Sequence, residues 1–365
     1  MFDINAILGR GYKNVAALDI GSSYIKFLEL EGDNLENLVL KHYATEQIPR
    51  NLINEDGKIE NSDDLKSLIA KCVKKSGSKT KNLVISLPNS SIINKKIILP
   101  KFTLEDDLKD EVYQEATKLL TSDIYIDDVN IDYYIIGDNP KNPDEDEIML
   151  VVSKKEKLDQ RLAVLEELGF NVFIVEVEQF AFQNLLKLMK GPDFLDNTYI
   201  LADCGANALK LYVFKEGELI YTKDSEIGGV AFTKDLAINL DIQFEEAERI
   251  KIERDLSQPM FEVVEKTFLN NYSAEFLSSF SYLISATSMF EVNEIILTGG
   301  MAGVPALVDI IQKSIEDFPD VLIHNQVTVA RPLENIEKHR IDLTKEEPGL
   351  FLVTSLALRK YIREF

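Results

Sequence analysis

Hydrophobic positions along the 365-residue chain first gather into short apolar runs broken by turn formers. Runs at 15–20, 24–30 and 35–43 predict three strands, separated by Gly21-Ser22-Ser23 and Glu31-Gly32-Asp33-Asn34, and together they read as a meander. From residue 62 the period becomes helical. Leu65, Leu68, Ile69, Cys72 and Val73 share one face over 62–76, and Ser62 is placed to cap it. The run 82–87 predicts a strand closed by Pro88. Thr103-Leu104-Glu105-Asp106 opens another helix in a capping-box-like pattern, with Leu104, Leu108, Val112 and Leu119 as its stripe. Strands are expected at 129–136 and 147–153 around the polar loop 138–146. A helix over 155–168 follows, with Gly169 as its C-terminal cap. The block 82–168 thus reads as a compact α+β unit following the first meander and helix.

The pattern then returns to its opening form. A buried strand at 172–177 and a helix at 178–189 precede a second meander at 199–203, 208–214 and 218–223. Helical periodicity runs from 232 to about 289. A strand at 295–297 enters Thr298-Gly299-Gly300, and helices at 306–315 and 349–361 close the chain. The two meanders match at a shift of 184 residues: Asp19-Ile20-Gly21 aligns with Asp203-Cys204-Gly205, Ile25 with Leu209, Lys26 with Lys210 and Phe27 with Leu211. Internal similarity at half the chain length predicts duplication of one structural unit.

Charge narrows the function classes. Lys plus Arg is 40 and Asp plus Glu is 62, a formal net charge of −22. A chain without a basic footprint is not built around nucleic acid, and an acidic surface disfavours docking on anionic lipid. There is no run of about 18 apolar residues, and residues 1–10 carry only a short apolar patch, so neither direct membrane insertion nor a signal peptide is expected. Cys72 and Cys204 are far apart, and with His42, His324 and His339 they match no known metal spacing. The expected compartment is a reducing cytoplasm.

The repeated Asp-x-Gly turn carries the candidate chemistry. Glycine there permits positive φ and close approach of backbone to a ligand. The amides that follow can cradle phosphate oxygens, and an Asp at the strand end can hold a hydrated Mg²⁺. Two such turns would clamp a polyphosphate from both sides. A single Asp-Gly turn is common in bare hairpins; two in register, with a Gly-rich turn after a third strand, are not. That third element is Thr298-Gly299-Gly300-Met301-Ala302-Gly303, able to lay bare backbone against a nucleoside. A fourth is Glu245 to Lys251, where Glu248 and Lys251 share a helix face. They would hydrogen-bond ribose and lie against a base, or else form a solvated charged face.

These residues resemble the actin-like ATPase superfamily. Asp19-Ile20-Gly21-Ser22-Ser23 looks like its first phosphate loop, Asp203-Cys204-Gly205-Ala206-Asn207 its second, and Thr298-Gly299-Gly300 its adenosine motif. Within it the chain is most similar to the PilM family of type IV pilus assembly proteins. The matching stretches include Tyr24-Ile25-Lys26-Phe27, Glu176-Val177-Glu178, Ile227-Gly228-Gly229-Val230, Glu246-Ala247-Glu248-Arg249 and Ser355-Leu356-Ala357-Leu358-Arg359.

The resemblance implies an α/β fold of two actin-like lobes, each ribonuclease-H-like, with a small α+β subdomain inserted in the first. The expected boundaries are 1–81 with 169–196 for the first lobe, 82–168 for the insert, 197–348 for the second lobe and 349–365 for the C-terminal connecting helix. It implies ATP and Mg²⁺ as cofactors, with Asp19 and Asp203 holding the metal through water. Gly21, Ser22, Ser23, Lys26, Gly205, Ala206 and Asn207 would meet the phosphates. Gly228, Gly229, Glu248, Lys251, Gly299, Gly300, Ala302 and Gly303 would meet the rest of the nucleotide. Glu178 would orient attacking water, unless it is simply an acid favoured at a helix N-terminus.

Asn207 and Ala208 stand where the superfamily commonly has a hydroxyl residue, so at most slow hydrolysis is expected. The implied partner is the N-terminal cytoplasmic tail of the inner-membrane protein PilN, lying between the insert and the first lobe, with other pilus assembly proteins and self-association as further expectations. The protein would then sit at the membrane through its partners. Two alternatives are an FtsA-like polymerising cell-division scaffold and a sugar-kinase-type phosphotransferase.

Overall fold

The computed structural model describes residues 15–362 apart from 51, 55–56, 122–123, 317, 319–320, 339–342 and 344–345. The apolar patch at 1–10 and His339 lie outside the described residues. The chain divides into two units. The first takes the described residues up to Leu30, His42–Glu178 and those from Leu356 onward; the second takes Glu31–Lys41 and Gln179–Ser355.

The first unit is built on a five-stranded sheet. Strands β1 (Ala16–Ile20), β2 (Tyr24–Glu31), β3 (Val39–Gln47), β4 (Asn82–Leu87) and β8 (Asn171–Val177) are ordered β3-β2-β1-β4-β8. β1 runs antiparallel to β2 and parallel to β4, which runs parallel to β8. Helix α1 (Ser62–Ser76) buries Leu65, Ile69 and Cys72 in a core with Phe27, Leu83 and Ile85. Its cap is Asn61, not Ser62: the Asn61 side chain accepts from the amides of Asp63 and Asp64.

Between β4 and β8 lies a second sheet, β5 (Ile92–Pro100), β7 (Asn142–Lys154) and β6 (Val129–Asn139), antiparallel and ordered β5-β7-β6. Helix α2 (Glu105–Leu119) covers it with Leu108, Val112 and Ala116 against Ile97, Ile148 and Leu150. The capping box expected at Thr103 does not form; Leu104 occupies the cap position with no side-chain hydrogen bond. The polar loop expected at 138–146 is a tight turn, since the strands run on to Asn139 and from Asn142.

Strand pairing also moves the edges of the inserted unit. Residues 82–87 belong to the five-stranded sheet, and helix α3 (Lys155–Glu167) gives Val164 and Leu165 to its core, so the separate sheet spans 92–154 rather than 82–168. Gly169, at φ 72°, follows α3 with its amide on the Glu166 carbonyl, as expected of a C-terminal cap.

The second unit repeats the plan. Strands β9 (Thr198–Cys204), β10 (Leu209–Lys215), β11 (Glu218–Ser225), β13 (Glu294–Thr298) and β15 (Thr328–Val329) are ordered β11-β10-β9-β13-β15. The antiparallel meander and two parallel additions recur. Two short strands, β12 (Glu291–Val292) and β14 (Leu322–Ile323), pair apart from that sheet. The helical stretch expected from 232 to 289 is three helices: α6 (Gly229–Leu240), α7 (Phe244–Glu253) and α8 (Phe261–Thr287).

Helix α4 (Glu178–Lys190), expected in the first lobe, falls from Gln179 onward with the second unit. The physical reason is aromatic: Phe182 packs edge-on to Tyr212 and Phe351, with ring centroids 5.1 and 5.5 Å away. Short α5 (Asp193–Asp196) and α9 (Pro305–Glu316) complete the helices before the last, α10 (Phe351–Leu358). Just after α10, Arg359 donates to Glu176 at 2.7 Å, both groups buried in the first unit.

Candidate functional site

In the first unit, β1 ends at Asp19-Ile20 and the chain turns through Gly21-Ser22-Ser23 into β2. Asp19 lies opposite Lys26 in the ladder, and the Lys26 ammonium bonds its carboxylate at 2.9 Å. The second unit has the same register: Asp203 lies opposite Lys210 across β9 and β10. The repeat seen in sequence is therefore a repeat of strand pairing, with an Asp at the end of one strand and a Lys beside it on the next.

The glycines of the two turns work differently from the expectation. Neither Gly21 nor Gly205 adopts positive φ. Each donates its amide within the turn, Gly21 to Tyr24 O at 3.1 Å and Gly205 to Ala208 O at 3.0 Å. A Cβ at either would meet that same carbonyl at 3.1 and 3.0 Å. Glycine is needed here so the turn can close on itself, and these two amides are engaged internally. The amides of Ser22 and Ser23, and of Ala206 and Asn207, are the ones left to meet a ligand in each turn.

Candidate residues from four separate stretches of the second unit meet in one place. The α6 amides of Gly229 and Val230 donate to Gly205 O and Ala206 O, at 3.1 and 2.8 Å, which seats the second turn against the start of that helix. Gly299 has φ 85°, and a Cβ there would lie 2.6 Å from Asp203 Oδ1 and 2.5 Å from Cys204 O. A Cβ on Gly300 would meet nothing within 4 Å, so the turn has open space on that side. Lys251 Nζ reaches Gly229 O at 3.0 Å, Thr233 Oγ1 at 2.7 Å and Glu248 Oε2 at 2.6 Å. The Thr233 hydroxyl donates to the same carboxylate oxygen.

This network corrects one expectation. All three Lys251 donors have protein acceptors, and Glu248 is only 8% exposed, so the pair is not a solvated face; it fixes the start of α6. Burial pushes the Lys251 ammonium down, against the opposing pull of Glu248. Ala302 packs into the core of the second unit beside Met301, so only its backbone remains to face a nucleotide. Cys204 is likewise a core residue: burial pushes its thiol up to about 12. Cys72 is also buried and pushed up to about 12, and both are free.

Residues 17–361 match the family described as type IV pilus assembly protein PilM. The chain belongs to the PilM family. A chain of a solved PilM-PilN type IV pilus biogenesis complex is similar over 97% of this chain and 100% of its own length, with a TM-score of 0.79 and 18% identity. Ethanolamine utilization protein EutJ from Carboxydothermus hydrogenoformans is similar over 94% of this chain and 88% of its own, with a TM-score of 0.54 and 15% identity. These likenesses, with the repeated sheet order, establish the actin-like ATPase fold.

Residues that the sequence pattern did not single out also touch the candidate turns within each unit. Pro348 O accepts from Gly299 N at 3.0 Å and Thr298 Oγ1 at 2.7 Å, tying the Gly-rich turn to the segment before α10. Thr233 completes the Lys251 network. In the first unit Arg161, 5% exposed, donates to Ile20 O at 3.4 Å inside the first turn. A signal for Arg161 was present: it lies three residues after Leu158 and four before Leu165, on the buried stripe of α3. Glu178 is buried, 8% exposed, at the start of α4. No helix among the described residues is long and apolar enough to cross a membrane.

Proposed function

We propose that this chain is a Mg-ATP-binding component of type IV pilus biogenesis that takes the N-terminal cytoplasmic tail of the inner-membrane protein PilN. The observation that carries the reading is the PilM-family match over 17–361, joined to the likeness with a solved PilM-PilN complex over nearly the whole chain. The protein works on the cytoplasmic side, held at the inner membrane by its partner.

For the nucleotide, the residues present fit the group. Asp203 stands at a strand end beside Gly299, which no other residue can replace without striking it. The amides of Ala206 and Asn207, and the open side of Gly300, suit phosphate and nucleoside. In the first unit Asp19, Ser22, Ser23 and Lys26 carry the same chemistry. Bound Mg²⁺ would supply positive charge against the phosphates, and Asp203 in the second unit and Asp19 in the first each stand at a strand end able to hold it through water. Asn207 and Ala208 offer no side-chain hydroxyl in the second turn, which favours a nucleotide-gated switch over rapid turnover, with Glu178 as the residue that orients water.

For the tail, support comes from the inserted unit. Ser91, Ile93, Leu120, Ile124, Val152 and Lys157 line a cavity of about 120 Å³, room for one apolar side chain. Ile93 and Tyr125 beside it are 38% and 72% exposed. β5 and β6 are the edges of their sheet, so an extended tail has strand edges to pair with. Calorimetric titration of Mg-ATP tests the nucleotide half. Wild-type protein should bind, and Asp203→Ala should bind at least about tenfold more weakly, the effect of one lost charged contact. Equal affinity in the two folded proteins would overturn the assignment.

A further inference from the structure

Arg161 is a cation enclosed by protein with too few partners. Its guanidinium offers five N–H donors. Among the described residues it makes one hydrogen bond, from Nη1 to Ile20 O at 3.4 Å, and no ion pair within 4 Å. Its other terminal nitrogen, Nη2, lies 3.7 Å from where a Cβ on Gly57 would stand, under the loop before α1. The arginine is 5% exposed and comes from the middle of α3, whose neighbouring turns bury Leu158 and Leu165. Such a helix position ordinarily holds an aliphatic residue. A buried arginine with no ion pair is costly, by several kcal/mol in the general case, and here Asp19 and Glu178 offset burial only in part.

The surroundings say what kind of anion is missing. The carbonyl that Arg161 holds belongs to Ile20, between Asp19 and Gly21 in the first Asp-x-Gly turn. Asp19 and Glu178 lie near enough to favour its charge, which burial alone would disfavour. Asp19 is already bonded by Lys26, so it does not answer the guanidinium's need for acceptors. A planar fork of donors beside a turn of backbone amides and two serines suits the oxygens of a phosphoryl group, which the fork can meet bidentately while the amides meet others.

We propose that Arg161 is a phosphate-contacting residue of the nucleotide site, delivered from α3 to the first Asp-x-Gly turn. The assignment rests on the Mg-ATP reading above and adds a residue that reading does not contain. It couples α3, which follows directly on β7 of the inserted sheet, to the phosphate turn. An anion at Arg161 therefore links nucleotide occupancy to the end of the inserted unit.

The test compares Arg161→Gln and Arg161→Lys with wild type by calorimetry, using Mg-ATP, Mg-ADP and adenosine, alongside thermal unfolding without ligand. Arg161→Gln should weaken the phosphate-bearing ligands about tenfold or more while leaving adenosine unchanged. Arg161→Lys, which keeps the charge and loses the fork, should fall between. Equal losses for adenosine and Mg-ATP, or wild-type affinity for all three, would overturn the assignment and leave Arg161 a structural residue. If Arg161→Gln fails to fold, the Arg161→Lys ratio of Mg-ATP to adenosine affinity decides alone: an unchanged ratio overturns the proposal. Wild-type protein that binds no Mg-ATP while Arg161→Gln lowers only the unfolding temperature would instead bring down the nucleotide reading itself, and this assignment with it.

Discussion

Adjacent glycines in the turn after β13 give the sharpest contrast in the molecule. Gly299 has φ 85°, a conformation that costs an L-residue about 1–2 kcal/mol. A methyl there would also stand 2.5 Å from Cys204 O and 2.6 Å from Asp203 Oδ1, and the first neighbour is backbone that cannot rotate away. Relief requires β9 and the turn to separate, an overpacking cost of about 1–3 kcal/mol. Gly299→Ala should therefore lose about 2–5 kcal/mol, which lowers the unfolding temperature of a unit this size by roughly 5–20 °C. Gly300→Ala meets nothing within 4 Å and has no positive φ, so it should stay within about 1 kcal/mol of wild type. Thermal unfolding followed by circular dichroism reads both. Mg-ATP titration should show Gly299→Ala impaired even where folded, because the clash falls on Asp203. Two variants that unfold within about 1 °C of each other would refute the reasoning.

Two further outcomes follow from buried charges. Lys251→Met leaves the Glu248 carboxylate enclosed with only Thr233 to meet it and should cost about 3–5 kcal/mol by urea unfolding, while the double variant Glu248→Leu/Lys251→Met should recover much of that loss; simple additivity would contradict the network. Arg359→Met should cost the first unit a similar amount by stranding Glu176. Burial already raises the Glu176 carboxyl above its ordinary 4.5, even against Arg359. Its contribution is therefore fully present below about pH 4.5 and lost as pH rises through the elevated folded value, and Arg359→Met should steepen that fall; a pH-independent deficit in unfolding free energy would count against it.

Much of this architecture was readable from the chain because its strongest signal is a local one. Asp19 and Lys26 sit seven residues apart, as do Asp203 and Lys210, and a tight turn between paired strands makes such spacing a register. Helix 62–76 and strand 82–87 were equally plain, since period and breakers agree there. What was not readable is which sheet a strand joins. Nothing in Asn82–Leu87 distinguishes a strand that pairs with β1 and β8 from one that pairs with the neighbouring inserted sheet. β5 was missed because Ile92–Pro100 carries Asn94, Lys95 and Lys96 on an exposed edge, where no alternation survives. In the site, glycine types were legible but not their reasons. Gly21 and Gly205 close turns sterically, whereas Gly299 needs a positive φ. Glu248 and Lys251 resemble any exposed i,i+3 pair until Thr233 and Gly229, from another helix, are brought over them.

Capture of the PilN tail by the whole chain is the most direct test of its place in pilus biogenesis. A synthetic peptide of the N-terminal cytoplasmic tail of PilN, from the same organism, is titrated calorimetrically into the intact protein and into Ser91→Trp, which fills the cavity of about 120 Å³ in the inserted unit. Wild-type protein should bind at micromolar affinity or tighter, a free energy of about −8 kcal/mol or better. Added salt should weaken binding only in part, because apolar anchors carry it. Ser91→Trp should lose at least about tenfold while remaining folded at the assay temperature, its overpacking cost being about 1–3 kcal/mol. A wild-type protein that leaves the tail unbound at millimolar peptide would contradict the role proposed for it.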